Sequence, residues 1–156
     1  MWNPFSLFKT STDKLLNTSD KQMLVQAIQA AEKTTSGEIR VHVESRTKKG
    51  DALTRAKEIF FKQKMNATKE RNGVLVYVAV EDRKLAIYAD QGIYDKVGVE
   101  FWSSQVQEMT AHFKEENYVK GMSLVIAEIG KALTHHFPYD RVSDTNELSD
   151  EIMIGK

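Results

Sequence analysis

The chain contains no cysteine, which excludes disulfides, thiol catalysis and cysteinyl metal sites. It has no charge of one sign to spare: 22 Lys and Arg stand against 22 Asp and Glu. No basic stripe emerges from that balance, so nucleic acid is not an expected partner. No apolar run reaches the roughly 18 residues of a transmembrane segment, so no membrane span is expected. The opening MWNPFSLFKTST lacks a basic n-region and a continuous apolar h-region. It does not read as a secretion signal, and the expected location is the cytoplasm. Sequence signatures of nucleophilic and nucleotide chemistry are missing as well. There is no G-x-S-x-G elbow, no Walker-type phosphate loop, and no D-x-D pair straight after a strand.

What is present suits one globular domain. The 156 residues, 41% hydrophobic and 28% charged, are enough for a sizeable core. Ser19 and Gln22 form a capping-box pattern ahead of Leu24, Ala27, Ile28 and Ala31, which predicts a first helix over 19–33. Thr35-Ser36-Gly37 ends it. In residues 38–45, Ile39, Val41 and Val43 alternate with Arg40, His42 and Glu44. That period of two predicts a strand with one deeply buried face and one wetter face, at or near a sheet edge, with His42 on the sheet surface. Asp51 is placed to cap a helix to about residue 65, with Leu53, Ala56, Ile59 and Phe60 inward.

Arg71-Asn72-Gly73 then opens an uninterrupted apolar run over 74–80, the signature of a strand covered on both faces. Glu81, Asp82, Arg83 and Lys84 lead into a further strand over 85–89. Four connecting residues are too few for a helical crossover, so these two strands pair antiparallel. The first two strands flank a helix and should be parallel, with a right-handed crossover. Asp95 is read as the cap of a helix over 96–114 with Trp102, Val106, Met109 and Phe113 inward. A last helix over 118–135 ends at Phe137-Pro138. The expected fold is therefore an α/β three-layer α/β/α sandwich with a mixed sheet. Its divisions are an arm over 1–18, the domain over 19–139, and an acidic tail over 140–156 that adds a short strand or a clamp. Trp2, Phe5, Leu7 and Phe8 in the arm read as packing on the arm's own domain, with a weak membrane or partner anchor as the functional alternative.

Topology gathers residues that the sequence separates. Parallel strands begin, and the antiparallel strand ends, at one rim of the sheet, so Glu38, Glu70, Asp90 and Asp95 should meet there. Crowded carboxylates repel unless they are protonated, paired or bridged by a cation. Hard oxygen ligands suit Ca²⁺ or Mg²⁺. The bland alternative is an acidic rim neutralised by Arg71 and Lys96. The tail segment Asp144, Asn146, Glu147 and Asp150 is also rich in oxygen, although its spacing is not that of an EF-hand loop. At the opposite end, Glu44, Arg46, Lys48, Glu81, Asp82 and Arg83 compete as a site, with an exposed charged turn as the bland reading. His112 reads as a helix-face residue. His135 and His136 suit a helix C-terminus better than metal chelation.

Three stretches carry a resemblance: SGEIRVHVE at residues 36–44, RNGVLVYVAVEDRKLAIYADQGI at 71–93, and NELSDEI at 146–152. In order and spacing they resemble the TPM domain family, named for a thylakoid-lumen phosphatase, a photosystem II repair protein and a nematode receptor modulator. The likeness is to its short bacterial stand-alone members and covers roughly residues 19–152. It implies an α/β/α domain of about four strands, and characterised members include divalent-metal binders. Glu38 occupies the acidic place of the SGEI motif and Asp90 that of the motif after the third strand. Larger members more often have glycine where Asp90 stands, which speaks against a direct transfer of the phosphatase site. The expected metal ligands are Glu38, Asp90, Asp95, Glu70 and Glu147. The expected function is a monomeric regulatory or binding module for Ca²⁺ or Mg²⁺. The alternatives are a metal-dependent acid phosphatase and an accessory domain for membrane-protein complexes.

Overall fold

The computed structural model describes residues 16–47, 50–139 and 153–154. The arm up to residue 15 and most of the acidic tail, Glu147 included, lie outside the described residues. Helix α1 spans Thr18–Glu32, strand β1 Glu38–Glu44 and helix α2 Ala52–Lys62. A 3-10 turn at Met65–Ala67 follows, then strands β2, Gly73–Ala79, and β3, Lys84–Ala89. Helices α3, Gln91–Val97, α4, Val99–Lys114, and α5, Tyr118–His136, complete the body.

The sheet runs in the order β3-β2-β1-β4. β1 and β2 are parallel, with Glu38 opposite Gly73 and Glu44 opposite Ala79. β3 runs antiparallel to β2, with Val74 opposite Ala89. These pairings are the expected ones. The sheet is carried by three strands rather than about four. The fourth, β4 at Met153–Ile154, has two residues and lies parallel to β1.

Successive strand residues face opposite sides, and β2 divides two apolar clusters on that rule. Val74, Val76 and Val78 join Leu24 and Ile28 of α1, Met109 of α4 and Ile126 of α5. Leu75, Tyr77 and Ala79 join Ala56, Ile59 and Phe60 of α2.

Several expectations need correction. Asn17, rather than Ser19, caps α1: it accepts from the Asp20 amide while Asp20 accepts from the Asn17 amide. Leu53 is 55% exposed, and Ala52 takes its place on the buried stripe of α2. β1 is buried along its whole length, because it lies between β2 and β4 and not at an edge. His42 is therefore buried. Asp95 is not a cap. Asp90 caps α3 by accepting from the Gln91 amide, which places Asp95 inside that helix. Gly98, at φ +82°, then breaks the run before α4 begins, since that backbone conformation interrupts a helix and suits glycine.

Candidate functional site at the amino rim of the sheet

The rim is assembled by backbone hydrogen bonds between three strand ends. The Glu38 amide donates to the Asn72 carbonyl at 3.4 Å and the Asp90 amide to the Gly73 carbonyl at 2.9 Å. Glu38, Gly73 and Asp90 thus form one row across β1, β2 and the end of β3, with the outer Cα atoms roughly 10 Å apart by two strand spacings. Glycine in the middle admits the Met65 carbonyl, which lies 3.0 Å from where a Cβ would stand, and the Phe60 ring at 3.6 Å.

Glu38 and Asp90 are 3% and 2% exposed. The burial of Asp90 is answered by Arg71. Arg71 Nε donates to Oδ2 and Nη2 to Oδ1, both at 2.7 Å, the fork geometry of a strong arginine–carboxylate pair. The bond and charge of Asp90 hold the Arg71 guanidinium above its ordinary pKa. Arg71 itself sits at φ +55°, a conformation uncommon outside glycine, asparagine and aspartate. Its loop is tied by its own amide to the Thr68 carbonyl and by the Asn72 amide to Thr68 Oγ1, each at 3.3 Å. Gly92 lets α3 approach this loop: a Cβ there would lie 2.1 Å from the Glu70 carbonyl oxygen and 2.5 Å from that of Arg71.

One polar atom of the rim is left over. Asn72 is 1% exposed. Its Nδ2 donates to Ser36 Oγ at 3.1 Å, but its Oδ1 is buried without a partner. A buried amide oxygen without a donor is costly, and it is the kind of hard donor that Ca²⁺ and Mg²⁺ take alongside carboxylates.

The other expected ligands are placed differently. Glu70 and Asp95 are exposed, and Asp95 accepts from Gln91 Nε2 at 3.1 Å. Lys96, expected to neutralise the rim, instead lies over the Phe137 ring at 5.6 Å. Among the described residues, no group of three or more His, Asp and Glu could hold a metal ion. As built, the rim therefore offers a hard cation no ready ligand set: Asp90 is held by Arg71, and Asn72 Oδ1 is a single unpartnered oxygen.

At the opposite end of β1, Arg46, Glu81 and Arg83 are exposed, as the bland reading expects, but Glu44 departs from it. Glu44 is fully buried. Arg55 of α2 grips it with Nε at 2.9 Å and Nη2 at 3.0 Å, and the Tyr77 hydroxyl donates to its Oε2. His42 Nε2 lies 3.6 Å from Oε1, beyond hydrogen-bond reach. Burial, then Glu44, pushes the Tyr77 hydroxyl pKa up, and the hydrogen bonds that Arg55 donates to Glu44 raise the Arg55 pKa as well. Sequence reasoning missed Arg55 and Tyr77. The available signal was that Arg55 falls on the same helical stripe as Ala52, Ala56 and Ile59. Outside this cluster, Arg46 pairs with Glu81 at 2.8 Å and Asp82 accepts from the Thr47 amide at 2.7 Å.

This is an α/β domain whose mixed sheet ends in a buried acidic rim, and the chain belongs to the TPM domain family. The TPM domain model matches residues 10–132. The BA42 protein from the psychrophilic bacterium Bizionia argentinensis is similar at 42% identity and a TM-score of 0.82, over 90% of this chain and 95% of that one. An N-terminal domain from P. gingivalis shares the fold at 16% identity and a TM-score of 0.63, over 81% and 83% of the two chains. Another from Corynebacterium glutamicum does so at 12% identity and 0.58, over 85% and 86%. No curated protein matches the chain. Among the described residues, no helix is long and apolar enough to cross a membrane.

Proposed function

We propose that this TPM domain is a regulatory or binding module that takes a divalent cation, Ca²⁺ or Mg²⁺, at the amino rim of its sheet. The observation that carries the reading is the unpartnered, buried Oδ1 of Asn72, next in sequence to Arg71 and at the same rim as the buried carboxylate of Asp90. Asp90 and Asn72 would hold the ion, with Glu38 at the far end of the row. Exposed Glu70 and Asp95 would contribute attraction rather than ligation, and Glu147 remains a candidate from the tail. Two or three protein oxygens leave the rest of the coordination shell to water, so binding would be weak. The sandwich layering belongs to the same reading, with α1, α4 and α5 on one side of the sheet and α2 on the other.

A binding role is favoured over phosphoryl transfer by the state of the buried carboxylates. Glu44 and Asp90 are each gripped twice by an arginine, which leaves neither free as a nucleophile or base. Thermal melts in calcium and in EDTA test the proposal. An ion that binds only the folded chain at about 100 times its Kd adds roughly 2.7 kcal/mol, so the melting temperature should rise in calcium. No rise at millimolar Ca²⁺ or Mg²⁺ would remove the cation reading.

A further inference from the structure

We infer that the outer face of α2 docks on an anionic lipid surface, its lysines answering the lipid charge while Leu53 and Phe61 enter the interface. This role is separate from the cation reading and does not depend on it.

The balanced charge of the whole chain hides an uneven distribution. Residues 46–71 hold nine Lys or Arg against three Asp or Glu, and the rest of the chain holds thirteen against nineteen. The fold sorts this excess. Arg55 and Arg71 turn to the buried carboxylates of Glu44 and Asp90. Lys57 and Lys62 on α2, and Lys64 in the turn straight after it, are exposed. Among the described residues, none of these three lysines is in an ion pair. Lys84, exposed at the start of β3, stands close enough to Asp51 to act on its charge, so it lies by the first turn of α2. The acids of the helix are committed elsewhere. Asp51 caps it by accepting from the Thr54 amide at 2.7 Å, and Glu58 accepts from Arg55 Nη1 at 2.7 Å.

The same face carries apolar side chains. Leu53 is 55% exposed and Phe61 41%. With Lys57 between them they follow at steps of four, in one line along the helix, and the two apolar positions lie roughly 12 Å apart at the helical rise. The Phe61 ring is steadied by Phe60 at 5.5 Å and Tyr88 at 6.0 Å.

Three features favour a lipid surface over a protein or a nucleic acid. The apolar cluster under α2 is shared with β2, β3 and the 3-10 turn, and with no other α-helix. The outer side of α2 is therefore a ridge rather than the groove that takes a partner helix. The four cations are lysines, compact charges on flexible stems without the fork that reads single carboxylates or phosphates. They suit the spread charge of anionic headgroups. Leu53 offers a nucleic acid no stacking or hydrogen bond, whereas an apolar side chain among lysines suits the boundary between headgroups and acyl chains.

Co-sedimentation of the full chain with vesicles tests the docking. All arms contain EDTA, so no metal bridges protein and lipid, and the result stands apart from the cation reading. Vesicles of phosphatidylcholine alone should not retain the chain. Vesicles of phosphatidylcholine and phosphatidylglycerol in equal parts should retain it, and added salt should release it. Lys57→Gln, Lys62→Gln and Lys64→Gln should each weaken partition by about fivefold. Their side chains are exposed, so thermal melts of these variants should match the unaltered chain. Leu53→Gln leaves the charge untouched and should still weaken partition severalfold. No retention on the anionic vesicles overturns the proposal. Retention unchanged in all three lysine variants overturns it too, since the contact then lies elsewhere. Retention that ignores Leu53→Gln reduces the face to a patch for any polyanion and overturns the lipid assignment. Single-stranded DNA or polyglutamate that strips the chain from the vesicles at equal charge overturns it in favour of a nucleic acid or an acidic protein.

Discussion

Replacing Glu44 by glutamine tests how the carboxyl end of the sheet is held, and the effect can be sized from the structure. Burial alone would raise the pKa of this fully enclosed carboxyl. The neighbouring imidazole of His42, the hydrogen bonds from Arg55 and Tyr77 and the Arg55 charge outweigh it, and they bring the value from 4.5 down to about 2. A carboxyl with a depressed folded pKa stabilises the protein above its unfolded value, and the contribution fades as pH falls through the folded one. The window is therefore about pH 5 down to pH 2. A drop from 4.5 to about 2 corresponds to roughly 3 kcal/mol, of which about 2 kcal/mol is gone by pH 3.

Urea unfolding of the unaltered chain and Glu44→Gln, at pH 7 and pH 3, reads this directly. Between those pH values the unaltered chain should lose about 2 kcal/mol more than the variant. At pH 7, Glu44→Gln should be destabilised by about 3 kcal/mol, because Arg55, only 8% exposed, loses the buried carboxylate that it grips twice and keeps only the exposed Glu58 at 2.7 Å. Adding Arg55→Met should recover most of that loss, since removing both charges together leaves no orphan. Parallel pH profiles for the two chains would refute the reasoning: the charge on Glu44 would then not be what the fold exploits.

The order and direction of the three long strands were legible because chain length constrains topology. Four residues cannot cross over a sheet, and a helix between two strands sets them parallel. The same reasoning brought Glu38, Gly73 and Asp90 to one rim. What stayed hidden was burial. The alternation in EIRVHVE was read as a half-wet strand, yet Arg40 and His42 are 7% exposed and Glu44 0%. Polar residues look alike in sequence whether water or a buried partner satisfies them. Only the pairing of Arg55 with Glu44, across 11 positions, tells the cases apart.

The rim shows the same limit from the other side. Arg71 and Asp90 stand 19 positions apart, and both a cation bridge and an arginine clamp satisfy the charge pattern. The choice depends on where β2 and β3 come into register, which fixes Arg71 before Gly73 and Asp90 after Ala89. The capping error has a local cause. Asp90-Gln91-Gly92 resembles a turn when Gly92 is taken as a breaker. Gly92 is in fact a helical residue kept small by the loop pressed against it.

Two further substitutions probe local steps of the fold. Asn17→Ala removes the side-chain half of the α1 capping box, leaving Asp20 to accept from the backbone amide of residue 17, and should cost about 1 kcal/mol in urea unfolding, with no effect on calcium affinity. Gly92→Ala sets two principles against each other. Helix propensity favours alanine over glycine by about 0.5–1 kcal/mol. Packing opposes it, because the new Cβ would lie 2.1 Å from the Glu70 oxygen and 2.5 Å from the Arg71 oxygen. Both neighbours are backbone, so relief requires α3 or the loop to move, at roughly 1–3 kcal/mol for an overpacked site. Sterics should win, and Gly92→Ala should melt lower than the unaltered chain. The displacement also parts Arg71 from Asp90, so the Arg71 Nε–H resonance should shift toward its exposed position without any calcium. A variant that melts higher would mean that α3 does not press on the loop, and the clamp would then need another explanation for its geometry.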